Sequence, residues 1–213
     1  MRTDDLITLL AQQARPVPRQ AALRRLARLT LPALVMSMAW MALGYGLRPQ
    51  LLAGAVGIMD WAKILLPAAV AACAFVALER LGRPGVPAGR WLWGMGLPVV
   101  ALWALGLATW LAAPSALRPA LLWGSTWQVC VPNVALMAMP VFVASLWALR
   151  GLAPTRPRLA GAAAGAFSGG AGAAIYAMHC PELAAPFLAV WYVLGMAVPV
   201  ALGAAVGGRV LRW

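Results

Sequence analysis

Three cysteines and a single histidine are the reactive side chains of this 213-residue sequence, and Asp and Glu together number only five. Acid–base chemistry therefore has little to work with, and thiol chemistry is what remains. Cys130 stands in Trp127-Gln128-Val129-Cys130, and Cys180 stands in Met178-His179-Cys180-Pro181. Ser125 or Thr126 caps the helix that Cys130 enters, and an early helical turn favours thiolate. Cys180 closes a helix, where the dipole opposes thiolate, and His179 beside it offers a base or a metal ligand. Cys130 is then the nucleophile and Cys180 the resolving partner. Together with Met178 and His179 they also make a soft sulfur and nitrogen ligand set, suited to copper, zinc or cadmium-like ions. No C-x-x-C is present, which argues against a thiol oxidoreductase. Three readings stay open: a structural disulfide, a redox- or metal-sensing pair, and unrelated thiols. Cys73, among Ala71, Ala72 and Ala74, reads as a small apolar packing residue.

The elements that must position these thiols are membrane helices. Apolar residues make up 63% of the chain and charged residues 10%, against about 45–50% and about 25% in soluble domains. That balance excludes a cytosolic enzyme, a nucleic-acid-binding module and a disordered tail. It predicts an all-α polytopic protein with six transmembrane helices, at about 26–46, 57–78, 92–112, 130–149, 159–178 and 186–206. Residues 1–25 form a separate N-terminal segment, and 26–213 the membrane domain. The second span carries Asp60 and Lys63 in its first turns, spaced to pair with each other near the interface. The fourth and fifth spans make a hairpin, so Cys130 and Cys180 meet at one face.

The net charge of +12 reports topology rather than a nucleic-acid partner. Of 17 Lys and Arg, all but Arg48, Lys63 and Arg118 fall in the N-terminal segment, the second and fourth loops and the C-terminus. The positive-inside rule makes those regions and both termini cytoplasmic, with the thiol pair on the outer face. The N-terminus does not read as a signal peptide. Trp91, Trp93 and Trp147 mark the inner interface, and Trp40, Trp61, Trp110, Trp123 and Trp127 the outer one. Gly161, Gly165, Gly169 and Gly172 form one small-residue stripe, and Gly203 and Gly207 another, for close helix packing or for a homodimer seam.

The N-terminal segment carries a second signal. Thr3 caps a short helix with Asp4 and Asp5 in its first turn, and Leu6, Ile7, Leu9 and Leu10 give it an apolar side. Pro16 and Pro18 then end it. This helix either lies on the membrane or docks in a groove of a cytoplasmic protein through Asp4, Asp5, Leu6, Ile7 and Leu10.

The order of these segments resembles the NrsF family. The resemblance rests on Thr3-Asp4-Asp5-Leu6-Ile7 with Pro16-Val17-Pro18-Arg19, on Leu78-Glu79-Arg80-Leu81, and on Gly124-Ser125-Thr126-Trp127-Gln128-Val129-Cys130. It extends through Ala153-Pro154-Thr155-Arg156-Pro157, Tyr176-Ala177-Met178-His179-Cys180-Pro181-Glu182, Val190-Trp191-Tyr192 and Leu211-Arg212-Trp213. The resemblance implies a six-helix inner-membrane anti-sigma factor without catalytic activity. It would hold an extracytoplasmic-function sigma factor at the cytoplasmic face, make no direct nucleic-acid contact, and release its partner under metal or oxidative stress. Cys130 and Cys180 match the family's paired periplasmic cysteines, which strengthens the sensing reading, with His179 as a third candidate and a soft metal ion as a candidate signal. The rival reading from the residues is a small transporter or metal-efflux protein. It is weakened by the lack of an interior acid or histidine beside Ser37, Thr109, Asn133, Ser145, Ser168 and Tyr176.

Overall fold

The computed structural model describes residues 3–13, 18 and 20–212. Every regular element among them is helical: α1 (Thr3–Gln13), α2 (Ala21–Trp40), α3 (Pro49–Leu52), α4 (Ile58–Leu81), α5 (Trp91–Ala112), α6 (Arg118–Trp123), α7 (Trp127–Arg150), α8 (Pro157–Tyr176), α9 (Ala185–Phe187) and α10 (Val193–Val210). A π turn at Met41–Tyr45 extends α2, and another at Leu188–Tyr192 joins α9 to α10. Five helical rods are long and apolar enough to cross a membrane: Ala21–Tyr45, Ile58–Leu81, Trp91–Ala112, Arg118–Arg150 and Ala185–Val210. They match five of the six expected spans.

The remaining expected span, 159–178, falls on α8, which has the length but is built from Gly and Ala rather than Leu and Val. Composition follows position here. α8 runs through the middle of the bundle against α4, α7 and α10, and 14 of its 20 residues are buried. It needs small residues to let three neighbours approach, and the neighbours supply the apolar bulk. α5 is the converse. Only Leu102 and Gly106 of its 22 residues are buried, and Leu97 stands 71% exposed. A water-soluble helix does not present such a surface, whereas a lipid-facing one must.

The glycines of α8 divide among three partners. Gly161 and Gly165 meet the α10 backbone at Gly203 and Pro199, so closely that no Cβ fits at either position. At Gly169 a Cβ would stand 2.8 Å from the Met196 carbonyl oxygen of the same helix. Gly172 does not extend that stripe, because its Cβ would point at Ala138 N, 2.7 Å away on α7. Gly170 faces α4 in the same way, with Pro67 O at 2.7 Å. The stripe is thus consumed within one chain.

The long helices alternate in direction, which gives the bundle two distinct ends. At one end the start of α2 meets the end of α7 (Arg25 Nε donates to Ala148 O, 2.9 Å), and the start of α8 meets the end of α10. The opposite end collects the last turns of α2 and α8, the first turns of α4 and α7, and α9. Proline inside α2, α4, α5, α7 and α10 is tolerated because neighbouring helices and local adjustments re-satisfy the freed carbonyls.

Candidate functional site

The strap between α8 and α9, residues 177–184, lies across the second end of the bundle, and three segments hold it: residues 46–48, Lys63 of α4, and Ser125 before α7. Arg48 N donates to Met178 O at 3.0 Å. The His179 ring lies with Nδ1 3.0 Å from Gly46 O. Lys63 Nζ donates to Cys180 O and to Glu182 O, both at 2.6 Å. Glu182 Oε1 accepts from Ser125 N and Ser125 Oγ, both at 2.7 Å. Trp191 Nε1 donates to Leu122 O at 2.9 Å, tying the segment after the strap to α6.

Cys180 is therefore fixed by its own carbonyl, and its side chain turns inward. Cys130, in the first turn of α7, turns inward from the other side. Both are fully buried, in one apolar cluster with Val134, Tyr176, Phe187 and Tyr192. The two thiols expected to meet at one face do belong to one cluster, but beneath the surface rather than on it. All three cysteines are free thiols. Cys73 packs apart from them, next to Gly94 of α5.

Polar groups ring the thiols. Tyr45, delivered by the first π turn, donates to Asn133 Oδ1 at 3.1 Å, and Asn133 Nδ2 donates to the Tyr176 hydroxyl at 3.3 Å. The His179 ring meets Tyr45 edge-on at 5.3 Å and Tyr176 at 5.9 Å. The second π turn delivers Tyr192, whose ring lies 5.3 Å from Lys63 Nζ. Isolated π turns of this kind recur at functional sites because they re-aim one side chain without ending the helix. Trp123, Trp127 and Trp191 stack on one another at 4.9–5.4 Å. They form a cluster there, where Trp123 and Trp127 are expected as separate interface anchors.

Two expectations from the sequence need correction. Asp60 and Lys63 do not pair at the interface, since both are buried. Asp60 instead forms an ion pair with Arg48 at 2.7 Å and accepts from Gly57 N at 3.0 Å, capping α4. Lys63, released from Asp60, is free to hold the strap. Neither Ser125 nor Thr126 caps α7 with its own side chain; the carboxylate of Glu182 reaches across from the strap to that helix start. Gly124 makes room for it, with a left-handed φ of 54° and a Cβ position 2.8 Å from the Glu182 carboxyl. Glu182, and the strap-holding role of Lys63, are what sequence reasoning missed. Their signal is an amphiphilic side chain one turn inside an apolar run, and an acid directly after a Cys-Pro.

As for a metal, no group of three or more His, Cys, Asp or Glu side chains among the described residues is arranged to hold one. Cys130 and Cys180 offer two sulfur donors, and His179 has its Nδ1 turned to Gly46 O. At the N-terminus, Asp4, Asp5 and Ile7 are exposed on α1, with Thr8 Oγ1 donating back to Asp4 O at 2.9 Å. The side chains of Leu6 and Leu10, and residues Arg15, Pro16 and Val17, lie outside the described residues.

With this geometry in view, three similarities are informative. Residues 10–213 match the family model of NrsF, negative regulator of sigma F. A probable anti-sigma-F factor NrsF from Azospira oryzae is 39% identical over the full length of both chains. An anti-sigma-F factor NrsF from Caulobacter vibrioides is likewise 39% identical over both full lengths. No solved structure matches the chain significantly.

Proposed function

The chain belongs to the NrsF family of negative regulators of sigma F, and from that premise we propose that it is a six-span inner-membrane protein that holds an extracytoplasmic-function sigma factor at its cytoplasmic face. It lets go when Cys130 and Cys180 are oxidised or take up a soft metal ion. α8 is the sixth crossing, the Arg-rich end of the bundle is cytoplasmic, and the strap end is periplasmic. It works as a regulator, not as an enzyme.

The observation that carries this reading is the burial of both thiols in one cluster beneath a strap. Burial in one cluster puts the two thiols where a disulfide or a shared ion joins α7 to the strap. Oxidation to a disulfide removes two protons and two electrons, taken by the external oxidant, and requires Cα atoms roughly 4.4–6.8 Å apart. Cys130 sits on α7 and Cys180 on the strap that follows α8, so the new bond pulls α7 against the strap and the helix that leads into it. Both helices run to the opposite end of the bundle, where Arg25 of α2 bonds to Ala148 of α7. Thiol chemistry at one end thereby biases the sigma-binding surface at the other, which is a coupling between two sites. Moving a two-state equilibrium from 1:99 to 99:1 takes about 5.5 kcal/mol of differential binding.

The transporter reading receives less support. The hydroxyls of Thr109, Ser145 and Ser168 each donate to a carbonyl of their own helix, which spends their donors within the helix. The test is capture of the sigma factor on membranes bearing the full-length protein, before and after a thiol oxidant or cadmium. Native protein is expected to release sigma on treatment, and Cys130→Ser and Cys180→Ser to retain it, at unchanged membrane abundance. Loss of both variants from the membrane, with sigma active throughout, would mark the pair as structural instead.

A further inference from the structure

At the Arg-rich end, a groove of about 490 Å³ opens between the start of α2 and the end of α7. Arg24, Arg25 and Arg28 line its rim, and Leu29 and Trp147 its wall. Arg24 and Arg28 stand one turn apart on exposed helix. Arg25 is held by a bond from its Nε to Ala148 O, and its guanidinium lies directly over Gly151. No Asp or Glu lines the groove. Three cations therefore converge on one space without an anion from this chain among its walls.

We propose that this groove binds the headgroup of an anionic phospholipid, with the phosphate held by Arg24, Arg25 and Arg28 and the upper acyl chain laid on Leu29 and Trp147. Depth decides for a lipid over a protein surface. Arg24, Arg25 and Arg28 occupy the first turns of a rod apolar enough to span a membrane, and Trp147 the last turn of another. Trp at such a position sits at headgroup level, and so does the groove between them. Its occupant must be anionic on one side and apolar on the other, since Trp147 is 67% and Leu29 36% exposed. Basic pockets between membrane helices recognise headgroups in this way, and Arg suits phosphate because its fork can donate two parallel hydrogen bonds. The inference rests on the membrane reading of α2 and α7 and not on the identity of the sigma partner.

Native mass spectrometry of the full-length protein in detergent tests it, with dioleoyl phosphatidylglycerol and dioleoyl phosphatidylcholine added in turn. The wild type is expected to retain phosphatidylglycerol at least tenfold more strongly than phosphatidylcholine. Arg24→Gln with Arg28→Gln should lose that preference, whereas Arg83→Gln with Arg90→Gln, which removes the same charge from another loop, should keep it. Equal loss in both double variants would reduce the effect to general charge and overturn the site. Displacement of the lipid by inorganic phosphate at millimolar concentration would assign the groove to a soluble anion instead. If the Arg24/Arg28 variant keeps its lipid but no longer captures the sigma factor, the groove is a protein-docking surface and the proposal fails.

Discussion

Lys63 is the residue on which most of the strap depends. A buried ammonium in a membrane helix is costly unless its protons are taken, and here two backbone carbonyls of the strap take them. Replacing it with Met removes the charge and leaves both carbonyls without a donor. Hydrogen bonds to charged groups are worth about 1.5–3 kcal/mol each, so Lys63→Met is expected to open the strap by roughly tenfold or more. The rate of maleimide labelling of Cys180 in intact membranes measures this. An unchanged rate would mean that the strap is held by Arg48, His179 and Glu182 alone. Glu182→Ala acts through α7 rather than through the thiols. It strips the start of that helix of its only carboxylate partner among the described residues, at a cost of about 1 kcal/mol. A fall of a few degrees in Tm, matched by Gly124→Ala, is the expected result.

These residue roles also mark what the sequence leaves out. Cys130, Cys180 and His179 stand out by type, since thiols and imidazole are rare in this chain. Lys63 and Asp60 are visible too, but their i,i+3 spacing suggests a mutual pair. The actual partners, Cys180 and Arg48, are supplied by a strap and a loop that only tertiary structure brings to them. The cap on α7 is hidden for the same reason: Ser125 and Thr126 have the right residue types, and a carboxylate 57 positions later takes the role.

At the scale of the element, α8 shows why composition and position have to be read together. Its Gly and Ala content keeps it off the set of helices apolar enough to span by composition, yet its packing makes it the centre of the bundle. Without a hydrophobic drive between helices in lipid, close backbone approach supplies the attraction, and Gly161 and Gly165 are where approach to α10 is closest. Gly161→Leu or Gly165→Leu must push two backbones apart and is expected to cost more than about 3 kcal/mol. Gly96→Ala on α5, where nothing lies within 4 Å of the new Cβ, should be silent. Recovery of monodisperse protein in mild detergent separates the two outcomes. The period-four glycine repeat is legible in the sequence. That Gly172 turns to α7 and Gly170 to α4 is not, because a stripe gives spacing but not the number of neighbours.

For the molecule as a whole, the proposed orientation is argued from the distribution of charge. The three cations on the expected outer side, which run against the rule, are each engaged within the fold. Arg48 is paired with Asp60, and Lys63 holds the strap. Arg118 donates to Ala113 O and Leu111 O while lying 4.9 Å from the Trp110 ring. Arg25, Arg80 and Arg83 on the expected inner side are engaged too, so the expected topology rests on the count, fourteen cations against three. Reporter fusions at Pro87 and Thr155 are accordingly expected to read cytoplasmic, and fusions at Pro49, Ser115 and Glu182 periplasmic. A periplasmic reading at Thr155 would remove α8 as a crossing and reverse the side on which sigma binds.

Under the proposed orientation α1 would lie on the side of the sigma factor. Asp4, Asp5 and Ile7 are exposed on it, and Leu9 with them, so the helix offers both acid and apolar surface to a partner. An isolated 11-residue helix is marginal in water and gains stability mainly by burying one face. If a protein groove supplies that burial, deleting residues 1–14 must free the sigma factor without disturbing insertion, because every span begins after the deletion. Full expression of sigma-dependent genes, with the truncated protein at normal abundance in the membrane, is the expected result. Ile7→Asp should reproduce part of it by placing a charge on the docked face. Were repression to persist in the truncated protein, the grip would have to come from the Arg-bearing loops around Arg80–Arg90 and Arg150–Arg158, and α1 would be left to lie on the bilayer surface.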